Sequence, residues 1–263
     1  MEQELITSPQ NPRVQEARAL LSQAKARKKY QAFAAEGARL VEDGLRTGAS
    51  VRNILVRASH PARVAAVLHQ CPAGMAIHFL EDKLFDSIAD TVTSQGIIGI
   101  FDLPSWTQPT SLNFALILDQ LRDPGNLGTI LRSAEAAGVQ SVFLTPGTTD
   151  PFSPKVARAG MGAHFRLPIF TPDWETLAAA LAGLNVFHAD MAGAQTCWQA
   201  DFTSPCALLI GSEAEGISPK ARDLVTQSVR IPMRGASESL NAAVSAAILL
   251  FEALRQRSVG GKA

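Results

Sequence analysis

Cysteine is scarce in this 263-residue chain. Cys71, Cys197 and Cys206 lie far apart and form no CxxC pair, so neither a zinc site nor a disulfide framework is indicated, and a role as small buried hydrophobes suffices. The five histidines, His60, His69, His78, His164 and His188, form no HExxH or i, i+4 ligand pair, and no metal is expected. No apolar stretch reaches the roughly 18 to 20 residues of a membrane span. The opening "MEQELITSPQNPR" has no apolar segment like that of a secretory signal, and the expectation is a soluble, cytoplasmic protein. Net charge is also missing, with 24 Lys or Arg against 24 Asp or Glu, which argues against a protein that coats nucleic acid nonspecifically. Neither a GxxxxGK[ST] loop nor a GxGxxG after the first strand of the second half occurs. A generic nucleotide-binding enzyme would therefore lack its phosphate cradle.

What is present is a 46% hydrophobic composition, that of a globular chain long enough for one large domain or two small ones. The overall balance hides an asymmetry: residues 1–60 carry ten Lys or Arg and six Asp or Glu, a net of +4. The excess concentrates in "KARKKY" at 25–30, which reads either as a solvated helix face or as a phosphate-contacting surface. Two prolines and small polar residues in "LPSWTQPTS", between apolar runs, mark a boundary. It separates a first domain, 1–104, from a second, 112–263, through a linker at 105–111.

In the first domain the pattern predicts helices at 12–24 and 33–47, a strand at 53–57, a helix near 61–70, and strands around 76–80 and 96–101. The second alternates more regularly. Strands are expected at 114–119, 141–145, 167–170, 185–189, 206–211 and 229–233, with helices at 127–138, 154–165, 174–184, 219–227 and from about 240. Such alternation implies βαβ units and a parallel sheet, and apolar runs such as "CALLIG" suit strands buried on both faces. Ligands of such sheets bind outside the carboxyl ends of strands. Three strand exits therefore matter, at 119–128, 210–218 and 231–241.

The first exit reads "LDQLRDPGNLGTILRSAEAAGV". Asp-Pro-Gly-Asn is a tight turn, and Arg132 on the following helix offers a planar donor fork suited to phosphate or carboxylate. The second, "LLIGSEAEGIS", places Ser212, Glu213 and Glu215 between Gly211 and Gly216. Its carboxylates would repel a nucleotide phosphate but suit a ligand offering hydroxyls, amines or a cation. The third, "IPMRGASESLNAAVSAAILLFE", combines Pro232 and Gly235 with a polar cluster before an apolar helix. Ser237 and Ser239 read as helix caps, and Asn241 brings both donor and acceptor capacity to the first turn.

Together, in order and spacing, the three stretches closely resemble the signature motifs of the SpoU (TrmH-like) family of RNA ribose 2′-O-methyltransferases, and "PKVARAGMGAHFRLPI" between them is also similar. The first half is similar to the family's L30e-like RNA-binding domain through "ITSPQNPRVQEARAL", "YQAFAAEGARLVEDGL" and "TSQGIIGIF". The resemblance implies an α/β chain: a trefoil-knotted, parallel-sheet SPOUT methyltransferase domain, an exception to the rule against knots, behind a smaller L30e-like domain. It implies S-adenosylmethionine as cofactor, no metal, a homodimer, and 2′-O-methylation of structured RNA. Ribosomal RNA is favoured over transfer RNA; a noncatalytic RNA-binding or assembly factor with the same fold is the alternative.

By resemblance, Arg132, Asn126, Glu213 and Asn241 are the catalytic set. Leu209, Ile210, Gly211, Glu213, Gly216, Ile231, Met233, Ser239 and Leu240 would line the cofactor site. Lys25, Arg27, Lys28, Lys29, Arg39 and Arg158 would face RNA, Arg158 being alternatively a partner-subunit contact. Arginine is a poor base because it stays protonated. The milder role for Arg132 is to hold phosphate and hydroxyl in line with the methyl sulfonium. Gly160 stands where many family members have serine.

Overall fold

The computed structural model describes residues 5–212, 215–235 and 239–260. Contacts divide the chain into two units, one running to Ser105 and including Asp150–Arg166, the other formed by Trp106–Thr149 and the residues from Leu167 onward. In chain order the first unit has α1 (Pro12–Ser22), α2 (Ala24–Tyr30), β1 (Ala32–Glu36), α3 (Ala38–Arg46), β2 (Val51–Arg57), α4 (Ala62–Leu68), β3 (Ile77–Leu80), α5 (Asp82–Asp86) and β4 (Ile97–Asp102). The second unit begins with β5 (Phe114–Leu118), α6 (Pro124–Ala136) and β6 (Ser141–Leu144). The chain returns to the first unit with α7 (Pro154–Gly160), then completes the second with β7 (Ile169–Phe170), α8 (Trp174–Ala180), β8 (Asn185–Ala189), β9 (Gln195–Thr196), β10 (Cys206–Ile210), α9 (Pro219–Arg222), β11 (Gln227–Arg230) and α10 (Ala242–Gly260).

The first unit is built on a four-stranded sheet in the order β1-β4-β2-β3, with β4 antiparallel to both neighbours and β2 parallel to β3. Strand alternation sends successive residues to opposite faces. Leu55, Ile98 and Ile100 join Val14, Leu20 and Phe85 on one side, while Ile54, Val56 and Ile97 meet Val41, Val64 and Val67 on the other. The segment 33–47, expected as one helix, divides instead into β1 and α3. "AFAAE" has the alanines of a helix, but its pairing with β4 from Ala32–Asp102 to Glu36–Ile98 and burial of all five residues override that propensity. Gln31 at φ 49 and Gly37 at φ 114 turn the chain at the two ends.

The returning segment 150–166 is held to the first unit by buried and half-buried groups. Phe165 and Ala157 pack with Phe33 and Phe101. Arg166 and Arg46 both pair with Asp43, whose carboxyl burial pushes up but whose two guanidinium partners hold below the usual range. The helix expected at 154–165 breaks after Gly160, which is buried. Met161 and Gly162 adopt left-handed backbone at φ 47 and 87, and a Cβ at Gly162 would overlap the Asp43 carboxylate.

The second unit is a seven-stranded sheet, β7-β6-β5-β10-β8-β11-β9, parallel throughout its pairings. Its central strands β5 and β10 are buried at every position, as continuous apolar runs between two covered faces should be. One face packs on α8 and the 217–221 turn through Phe143, Leu177, Leu181, Leu209 and Ile217, and α10 packs on α6 and β10. α6 begins three residues earlier than the pattern suggested, because the Asp123 side chain caps it through the Asn126 N–H at 2.7 Å and Pro124 occupies its first position. α9 is only four residues long and β11 ends at Arg230, so residues 231–233 are loop and free to line a site. The threading of the chain after β10 and β11 that a trefoil knot would require falls partly on residues 213–214 and 236–238, outside the described residues.

Candidate functional site

A cleft of about 390 Å³ opens at the carboxyl ends of β8, β10 and β11. Of the nine residues expected to line a cofactor site, Ile210, Gly211, Gly216, Ile231, Met233, Ser239 and Leu240 do line it. Leu209 does not. It packs with Ala115, Ile117 and Phe143 in the core, because neighbours on a strand face opposite ways and Ile210 takes the outward position. Glu213, expected in both the catalytic and cofactor sets, lies outside the described residues, as do Ser237 and Glu238.

The wall from β10 is fixed by close backbone contact. Ser212 and Gly216 exchange both backbone hydrogen bonds, at 2.9 and 3.0 Å, and a Cβ on Gly211 would overlap the carbonyl oxygen of Gly216. Glycine at 211 is thus dictated by space, while Gly216 supplies the φ of 68 that closes the turn. Glu215, at the exposed rim, pairs with Arg122 at 3.2 Å.

Asn241, which does not itself line the cleft, is the N-cap of α10. Its side-chain oxygen accepts from the N–H groups of Ala243 and Val244 at 2.9 and 3.3 Å. Ser239, read from sequence as a cap, lines the cleft instead. Asn241 also donates through Nδ2 to Asn126 Oδ1 at 3.0 Å. That bond joins the first and third motifs, which are 115 residues apart in sequence. Arg132 is exposed on α6 and is not among the residues lining the cleft.

His188, Asp190 and Met191 also line the cleft, together with Arg222 and Ser245, none of which the motif reading selected. Arg222 ends α9 and Ser245 lies on α10, whereas His188, Asp190 and Met191 stand at or just after the end of β8, and the sign of their importance was available only from strand order. β8 lies between β10 and β11 in the sheet, so its carboxyl end must open between theirs. His188 Nδ1 sits 3.8 Å from Asp190 Oδ2. Burial pushes the imidazole below its ordinary range, opposed by Asp190 and assisted by Arg222.

The basic residues of the first unit separate into two kinds. Lys25, Lys28, Lys29 and Arg39 are exposed. Arg27, expected on the same surface, is 5% exposed, with Nε on Asp150 at 2.7 Å and Nη1 on the Leu20 carbonyl at 2.5 Å. It is a buried structural cation, because α2 turns that position inward beside Ala26. Arg158 is half-buried and engaged with Asp90 at 2.6 Å and near Glu36 at 4.0 Å.

Among the described residues no helix is long and apolar enough to cross a membrane, and no group of three or more His, Cys, Asp or Glu could hold a metal. The model of the SpoU rRNA Methylase family matches residues 113–251, and that of the MRM3-like substrate binding domain matches residues 11–99. The chain is 31% identical to the 23S rRNA (guanosine(2553)-2′-O)-methyltransferase RlmP of Bacillus subtilis, over 94% of this chain and 97% of that protein. Among solved structures, an AdoMet-bound rRNA methyltransferase from Sinorhizobium meliloti is 34% identical with a TM-score of 0.83, covering 96% of this chain and 97% of that one. The AdoMet complex of the SpoU methyltransferase AviRb from Streptomyces viridochromogenes is 28% identical with a TM-score of 0.84, covering 96% and 100%. The α/β fold is that of the SPOUT methyltransferases, and the chain belongs to the SpoU rRNA methylase family.

Proposed function

We propose that this protein transfers a methyl group from S-adenosylmethionine to a ribose 2′-hydroxyl of ribosomal RNA. The observation that carries the reading is the meeting of the second and third motifs in one cleft, with the Asn126–Asn241 hydrogen bond joining the first motif to the third. The cleft suits the cofactor chemically. Ile210, Ile231 and Leu240 offer apolar walls for adenine, Gly211 and Gly216 put no side chain into the cleft, and the Asp190 carboxylate can accept from hydroxyls or an amine. When bound, S-adenosylmethionine supplies an electrophilic methyl group on a sulfonium, so no covalent nucleophile from the protein is required.

The protein's work is then alignment and proton removal. In this reading Arg132 grips the phosphate next to the target ribose and holds its 2′-hydroxyl in line for attack. Asn126 and Asn241 brace the two motifs against each other. Because Arg132 stands outside its own chain's cleft, we assign it to the cleft of a second copy. Val244 and Phe251, 47% and 48% exposed on α10, supply apolar surface for the contact. Residues 1–104, joined through 105–111, hold the RNA, and 112–263 carry the transfer. Lys25, Lys28, Lys29 and Arg39 provide the sequence-independent phosphate attraction.

The test is transfer from labelled S-adenosylmethionine to unmodified ribosomal and transfer RNA, followed by nuclease digestion and nucleoside mass spectrometry. A 2′-O-methylnucleoside in ribosomal RNA is expected. A base-methylated product would contradict the chemistry, product in transfer RNA alone would contradict the substrate, and no product despite cofactor binding would favour a noncatalytic RNA-binding factor.

A further inference from the structure

Asp119 follows β5 and is completely buried. A carboxylate taken out of water persists only where donors fill its lone pairs. Here Thr145 Oγ1 donates to Oδ1 at 2.5 Å, the Ser218 N–H donates to Oδ2 at 2.5 Å, and Ser218 Oγ lies 3.3 Å from Oδ1. The backbone around it is equally committed. The Asp119 N–H donates to the Ile210 carbonyl at 2.9 Å. The next residue, Gln120, is held at φ 52 with its N–H on Thr145 Oγ1 at 3.2 Å, a conformation that persists where the surroundings over-determine it.

What this carboxylate fixes is the far end of the cleft wall. Ser218 closes the segment that follows β10 and caps α9 through the Ala221 N–H at 3.3 Å. The near end is already tied by the paired backbone bonds of Ser212 and Gly216. Gly216 and Ile217, which line the cleft, therefore sit between two anchors. A further link from the first motif to this segment, Arg122 to Glu215, has side chains 68% and 57% exposed, and such pairs contribute little. Asp119 does not itself line the cleft, and its side chain reaches the Gly216–Ile217 wall through Ser218.

We propose that Asp119 is a positioning residue: through Ser218 it holds the Gly216–Ile217 wall in the geometry that binds S-adenosylmethionine, coupling the end of the first motif to the cofactor loop. The proposal rests on the assignment of the cleft to that cofactor.

The experiment compares the full chain with Asp119→Asn, Ser218→Ala and Thr145→Val, measuring S-adenosylmethionine affinity by calorimetry, thermal melting, and methyl transfer at saturating cofactor. Asp119→Asn turns an acceptor into an amide donor facing Ser218 and is expected to weaken cofactor binding about tenfold, the size of losing a hydrogen bond to a charged group. Turnover at saturating cofactor should stay within about twofold, since positioning of the wall acts on binding. Ser218→Ala should weaken binding about threefold, keeping the backbone donor but losing the hydroxyl. Thr145→Val removes a donor to Oδ1 but leaves both Ser218 contacts with Asp119 in place, so it should lower the melting temperature with a smaller loss of affinity than Asp119→Asn.

Wild-type affinity in Asp119→Asn, or affinity losses that track melting temperature across all three variants, would overturn the positioning role. If Asp119→Asn does not fold, Ser218→Ala decides, and wild-type affinity there overturns it. Failure of the wild-type chain itself to bind S-adenosylmethionine would overturn the cleft assignment, a separate result.

Discussion

Single residues at the cleft differ in what they tolerate, and the reasons are steric and electrostatic. Gly211 admits no side chain because the Gly216 carbonyl occupies the space a Cβ would need. Gly211→Ala must push the wall apart, and calorimetry should show cofactor affinity falling by about tenfold or more, as expected when an overpacked site is forced to shift. His164 tests another kind of constraint. It is wholly buried, with Nε2 donating to the Pro151 carbonyl at 2.7 Å and Nδ1 without a hydrogen-bond partner among the described residues, and burial lowers its pKa to about 4. The unfolded chain takes up this proton near pH 6.5 and the folded chain only near pH 4. Stability is therefore full above about pH 6.5 and declines as pH falls toward 4, by about 3 kcal/mol in all. Denaturant titrations between pH 7 and 4.5 should show that slope, and His164→Gln should flatten it; an equal slope in the variant would assign the dependence elsewhere.

At the level of elements, legibility followed the balance between local propensity and partners distant in sequence. "NVFHA" was readable to the residue as β8, and "CALLIG" nearly so, because an unbroken apolar run fits a doubly covered strand and little else. "AFAAE" was not, since its helical alanines become a strand only through β4, more than sixty residues later. The cleft wall shows the same division. Ile210, Gly211, Ile231 and Met233 were accessible from motif resemblance, whereas His188 and Asp190 entered through strand order alone. Leu209 was misplaced by one step of the strand alternation, and Arg27 by one position on a helix that turns it to the interior beside Ala26. The cap of α6 offers a check of local physics. Asp123→Ala removes the acceptor for the Asn126 N–H and should cost about 1 kcal/mol in chemical unfolding, with a larger loss of methyl transfer because Asn126 also meets Asn241.

For the whole molecule, the sequence pattern supported two α/β parts and a parallel sheet, but the SPOUT fold came from resemblance; hydrophobic periodicity carries no information on how a sheet is threaded. Association is likewise invisible to periodicity, since an apolar helix serves a core and an interface equally well. On α10, Leu249, Leu250 and Ala253 are buried in the core while Val244 and Phe251 are exposed. The proposed second copy would cover this pair, and light scattering at micromolar concentration should then give twice the chain mass. A single-chain mass would remove the second copy's Arg132 from the site.

The most direct measurement compares the wild-type chain with Arg132→Ala for methyl transfer to unmodified ribosomal RNA, reading 2′-O-methylnucleosides by mass spectrometry and S-adenosylmethionine affinity in the same preparations. The expected result is product from the wild type, none from Arg132→Ala, and equal cofactor affinity in both. Equal product from the two chains would contradict the assignment of Arg132, and a wild type that binds cofactor yet methylates no ribose would contradict the proposed activity itself.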